Sequence, residues 1–181
     1  MATKTRLTAA DLFALPDDGF RYELVDGELV RMPPPGFRHS RITTRVARFL
    51  DTYVDAHDLG AVVDNGGFKL QGEPDVVLAP DVAFVQADRI PPAPETIGYP
   101  EIPPDLAVDV MSPSDEPADI EAKIRRYLRA GVRAVWLLDP ARKTISVRTP
   151  DGPTYELGMD DTLDGGNMVP GFSVQVADLF R

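Results

Sequence analysis

Cysteine is absent from this sequence, which excludes a disulfide framework and any thiolate-held metal. Histidine occurs only as His39 and His57, too few for a histidine-rich zinc centre. Lysine is scarce, found only at Lys4, Lys69, Lys123 and Lys143. No apolar run approaches the roughly 20 residues of a membrane helix. The opening stretch MATKTRLTAADL has no apolar signal core, so the expectation is a soluble cytoplasmic chain with no membrane association. Positive charge is in deficit as well: 19 Lys and Arg face 29 Asp and Glu, a net charge of -10, which weighs against a general nucleic-acid binder. What is present is ordinary for a globular protein, with 43% hydrophobic and 27% charged residues in 181. One domain over residues 1–181, long enough to bury a core, is the expectation.

Local patterns divide the chain into short elements. Thr8 to Pro16 predicts a short helix capped by Thr8. Arg21 to Met32 predicts a hairpin around Asp26-Gly27, a strong turn signal. The run from His39 to Gly60 carries Ile42, Val46, Phe49, Leu50 and Tyr53 at helical spacing. Short strands are predicted at Ala61–Asp64, Phe68–Gln71, Asp75–Leu78 and Val82–Val85, then an irregular proline-rich loop from Ile90 to Pro104. LAVDVM, from Leu106, reads as a strand, and PADIEAKIRRYLRAG as a helix with Pro117 in its first turn and Gly131 just past its end. RAVWLLDP is an apolar strand, KTISVRT and TYELG form a hairpin, and VPGFSVQVADLF gives a last strand and a terminal turn. The strand–helix–strand unit from Leu106 to Asp139 predicts a parallel pair joined by a right-handed crossover. The rest reads as antiparallel, giving a mixed sheet with helices on its faces.

Asp109 lies inside the LAVDVM strand, where a carboxylate is costly unless a cation or hydrogen bonds compensate it. Alternation puts Ala107, Asp109 and Met111 on one face, and small Ala107 leaves room beside the carboxylate. A second acid, Asp81, opens the VAFV strand after Pro80. Asp75, in an earlier Pro-Asp-Val, fits a hairpin edge better. Two carboxylates at strand ends suit a hard cation such as magnesium, which takes one or two of them plus waters and substrate phosphate. That is the logic of metal-assisted phosphodiester hydrolysis. A capped turn is the alternative for Asp81 alone, but mid-strand carboxylates are rarely structural.

The segments YELVDGEL, PDVAFV, LAVDVMSPSD, the following K…Y…GV and VWLLDP together resemble the Uma-two family of restriction-endonuclease-like proteins, within the PD-(D/E)XK nuclease superfamily. The resemblance spans nearly the whole chain and rests on order and spacing more than on any one motif. It implies an α/β (α+β), three-layer restriction-endonuclease-like fold with a mixed central β-sheet flanked by helices. It also implies a divalent-metal site for Mg2+ or Mn2+ and endonuclease activity on DNA. Asp81 then corresponds to the acid of the "PD" element and Asp109 to the acid of "(D/E)XK". Where that pattern has lysine, this chain has Met111, and a thioether cannot replace an ammonium beside a phosphate.

Lys123 is the candidate replacement, because it borders the apolar stripe of Ile120, Ile124 and Tyr127 on the helix that leaves the Asp109 strand. A boundary lysine that merely snorkels is the competing reading. Lys69 is the backup. The resemblance brings in Glu23, from the YELVDGEL hairpin, as a third acid, and His39 as a capping or phosphate-contacting residue. Arg41, Arg45 and Arg48 share one helical face, and Arg126, Arg129 and Arg133 another. Such stripes suit phosphate contact but carry no aromatic residues for base stacking, so no sequence specificity follows. Two functions are therefore open. One is a metal-dependent DNA endonuclease, acting as a homodimer because two strands need two sites. The other is a non-catalytic binding or assembly module on the same fold, favoured by Met111 and the acidic surface.

Overall fold

The computed structural model describes residues 6–70, 72–93 and 97–181. Its first helix, α1 (Ala9–Phe13), starts at a capping box: Asp11 N–H donates to Thr8 Oγ1 while Thr8 N–H donates to the Asp11 carboxylate. A hairpin follows, β1 (Arg21–Val25) and β2 (Glu28–Met32). Its turn places Asp26 and Gly27 both at positive φ, which is why that pair sits there. The long helix α2 (Phe37–Ala56) begins before His39 and ends short of Gly60. Then come β3 (Gly60–Asp64), β4 (Phe68–Leu70), β5 (Val76–Leu78) and β6 (Val82–Gln86). Gln71, read as the end of a strand, lies outside the described residues. The second half holds β7 (Leu106–Val110), α3 (Pro117–Arg129), β8 (Ala134–Asp139), β9 (Thr144–Arg148) and β10 (Tyr155–Leu157). It closes with β11 (Thr162–Asp164), β12 (Ser173–Gln175) and α4 (Val176–Phe180).

The central layer is a six-stranded sheet in the order β10-β9-β8-β7-β6-β3, in which β7 and β8 run parallel and every other pair is antiparallel. α3 makes the parallel crossover, as a βαβ unit requires. Alternation along the strands decides which layer each face meets. Val82, Phe84, Leu106, Val108 and Trp136 pack with Ile42, Val46, Leu50 and Val54 of α2 and with the C-terminal segment around Phe172. Ala83, Val85, Ala107 and Val135 face the opposite way, onto Ile124 and Tyr127 of α3. No helix among the described residues is long and apolar enough to cross a membrane.

The strands β2, β1, β5 and β4 form a separate four-stranded sheet rather than extending the central one. One of its faces meets α1 through Leu24 and Val77, and the other packs Phe68, Leu70, Val76 and Leu78 under α3. The switch between sheets falls at Ala79-Pro80, between β5 and β6, where proline has no N–H to continue a ladder. A further difference from the sequence pattern is β11, whose TLD run is too short to show a period. It pairs with β12 to bury Leu163 against the α2 face.

Candidate active site

The switch from the small sheet to the central one sets Asp81 beside the end of β7. Val110 N–H donates to Asp81 Oδ2 at 2.8 Å, and His39 Nε2, from the first turn of α2, lies 3.1 Å from the same oxygen. Behind His39, Nδ1 is 3.5 Å from Thr43 Oγ1. Hydrogen bonding to Asp81 raises the pKa of His39 against the opposing effect of burial, so the pair favours imidazolium beside carboxylate. Glu23, on the face of β1 turned toward α3, accepts from Ala79 N–H at 2.9 Å. Asp109 follows Val108 on β7 and so points to the α3 side.

Lys123 joins two of these acids. Its Nζ lies 3.0 Å from Glu23 Oε1 and 3.1 Å from Asp109 Oδ1, and 5.7 Å above the ring of Tyr127. Only 23% of the Lys123 side chain is exposed, against 6% for Glu23, 15% for Asp109 and 11% for Asp81. One lysine does not balance that density of acid. Burial first, then the charges of Asp81 and Glu23, push the Asp109 pKa up to about 6 despite the opposing pull of Lys123. Burial alone would lower the Lys123 pKa, but Asp109, Tyr127 and Glu23 outweigh it and hold the ammonium well above the ordinary lysine range. The Tyr127 hydroxyl is buried with no hydrogen-bond partner among the described residues.

The donor set suits a hard cation. Each of Asp81, Asp109 and Glu23 commits one oxygen to the protein, while Asp81 Oδ1, Asp109 Oδ2 and Glu23 Oε2 make no hydrogen bond to described residues. Mg2+ and Mn2+ take such oxygens and complete their shells with water. Among the described residues no three of His, Asp and Glu gather closely enough for an all-protein cage. Asp109 feels the charges of both Asp81 and Glu23, so an ion held here would take two of these carboxylates and complete its shell with water.

The other sequence candidates lie elsewhere. Lys69 pairs with Glu101 at 2.7 Å and approaches Asp75 at 3.7 Å on the small sheet. Asp75 Oδ2 accepts from Ala9 N–H at 2.8 Å, anchoring α1. Arg45 donates to the Asp178 carbonyl of α4 at 2.7 Å, whereas Arg41 is exposed. Met111 is half-buried, with its N–H donating to the Leu138 carbonyl. Sequence reading passed over Asp105, which is fully buried and held by Arg89 at 2.5 Å, Arg133 at 3.3 Å and Gln86 N–H at 2.9 Å. It sits at the mouth of a proline-rich loop and its partners are remote in sequence, so no local signal marks it. Tyr127, expected beside Lys123 on the apolar stripe of α3, does lie next to its ammonium.

Residues 9–177 match a family model, Uma2, described as "Putative restriction endonuclease". A crystal structure described as "a putative nuclease belonging to DUF820", from Anabaena variabilis ATCC 29413, superposes with a TM-score of 0.82 at 21% sequence identity. The match covers 96% of this chain and 97% of that one. No curated protein matches the chain.

Proposed function

Because the chain belongs to the Uma2 family, we propose that it is a divalent-metal-dependent endonuclease that hydrolyses phosphodiester bonds in DNA. The observation that carries the reading is Asp109, a strand carboxylate whose compensation by Lys123 is incomplete and whose pKa stands near 6. A site that strains to stay ionised at neutral pH is one that a cation completes. Asp81 and Asp109 are the residues that would hold Mg2+ or Mn2+. Such an ion supplies an acidified water and neutralises charge on the phosphoryl oxygens.

The protein's own groups have distinct parts. Lys123 stays protonated far above neutral pH, so it donates to phosphoryl oxygens rather than accepting a proton. Glu23 and Asp109 hold its ammonium from two sides, which fixes the donor that Met111 cannot supply. His39 and Val110 N–H fix one oxygen of Asp81 and leave the other without a hydrogen bond to described residues, open to an ion. Cutting both strands of a duplex needs two such sites, which a symmetric pair of chains supplies.

Plasmid cleavage in Mg2+ or Mn2+ tests the reading. The parent is expected to nick or linearise DNA only with the cation, and Asp81→Asn, Asp109→Asn and Lys123→Ala each to lose at least about a hundredfold in rate. A parent that binds the cation yet leaves single- and double-stranded DNA intact would leave the fold with a binding role instead.

A further inference from the structure

A cavity of about 390 Å3 opens between the last two turns of α3 and the small sheet. Arg125, Arg126 and Arg129 line it, together with Asp26 and Glu73, over an apolar floor that includes Leu70. Arg126 pairs with Asp26 at 2.9 Å. Arg125 and Arg129 make no ion pair or hydrogen bond to described residues, in a chain where acids outnumber bases 29 to 19. Both are exposed, and their side chains border one hollow of an acidic protein. The lining carries three cations and two anions, an excess of one positive charge, which offsets the single negative charge of a phosphodiester.

The hollow and the candidate active site both border α3. Lys123 and Arg129 belong to the same helix, six residues apart, about 9 Å at ~1.5 Å per residue. Asp26 follows the strand that carries Glu23, so the small sheet flanks both places.

The geometry points to a phosphate subsite: Arg125 and Arg129, with Arg126 held beside them by Asp26, grip a backbone phosphate of the substrate strand away from the bond that is cut. This rests on the nuclease reading for its substrate and adds the place where the strand leaves the site. Guanidinium groups suit the task because their planar forks meet phosphate oxygens in pairs. The cavity offers no aromatic side chain, so the grip is indifferent to sequence.

The test is fluorescence anisotropy of a short labelled DNA duplex and its single strand across a salt series, with Ca2+ in place of Mg2+. Arg125→Gln combined with Arg129→Gln is compared with the parent and with Arg142→Gln combined with Lys143→Gln, an equal charge loss outside the cavity. Both pairs are exposed, and a melt confirms folding. The cavity pair is expected to bind roughly tenfold more weakly and to lose about one unit of the log Kd against log salt slope. The control pair is expected to lose clearly less. Equal losses in the two pairs, unchanged binding by the cavity pair, or a parent that binds no DNA would each overturn the subsite. A parent that binds through the cavity arginines but cleaves nothing would keep the subsite and remove the catalytic reading. Cleavage by the parent with the cavity pair unaltered in binding would do the reverse.

Discussion

Asp105 precedes β7 and Asp109 lies within it, and their surroundings differ in sign. Asp105 is fully buried between two arginines and a backbone amide, so its charge is met. Removing one partner of such a group leaves the others uncompensated, and Asp105→Asn is expected to cost about 3–5 kcal/mol in urea denaturation. Asp109 shares one lysine with Glu23 and faces Asp81 besides. Neutralising it in the cation-free protein is expected to leave stability unchanged or raised. The pH dependence has a definite sign. The folded Asp109 pKa of about 6 lies above its unfolded value near 3.9, so the folded state holds the proton more tightly. Stability is therefore lost as pH rises from about 4 to about 6, and the loss is complete above that window. The advantage of Asp109→Asn over the parent should widen across that range and then stay flat. His39 runs the same way higher up: its pKa is raised, so the stability it adds is full below its ordinary value of about 6.5 and fades as pH climbs through the folded one. In His39→Gln the fade above neutral should disappear from a pH series of melts.

At the scale of elements, the hairpin that carries Glu23 depends on its turn. Gly27 has φ of 77°, and a Cβ there would stand 2.8 Å from Arg6 Cβ. Gly27→Ala is expected to cost more than about 1 kcal/mol, read by urea titration, and to loosen Glu23 from Ala79. The hairpin, both long helices and the parallel pair around α3 were legible in sequence because each has a local cause: Asp26-Gly27, a helical stripe, Pro117 and Gly131 at the two ends, and two apolar strands. The division into two sheets was not legible, since period two looks the same whichever neighbour a strand takes. The turn of Lys123 toward Asp109 and Glu23 was a possibility the helix stripe allowed, equal to snorkelling. Only the sheet packed beneath α3 distinguishes the two orientations. Likewise the partners of Asp105 come from two separate segments, Gln86 to Arg89 and Arg133, a non-local contact that no spacing announces.

For the molecule as a whole, a net charge of -10 opposes approach to DNA, so binding has to come from local arrangement. Lys123 and the cavity arginines stand along one helix, beside the cluster of Asp81, Asp109 and Glu23 whose mutual repulsion a cation would relieve. The layers reinforce this: α2 carries His39 to Asp81 from one side of the central sheet while α3 carries Lys123 to Asp109 from the other. The central claim is that a divalent cation is the missing compensation of Asp109. Thermal melts of the parent and of Asp109→Asn, each with and without Mg2+ at pH 7.5, test it most directly. The account predicts a parent that gains stability with Mg2+ and a variant at least as stable as the metal-free parent but indifferent to the ion. A variant that melts below the metal-free parent and gains the full Mg2+ shift would contradict it.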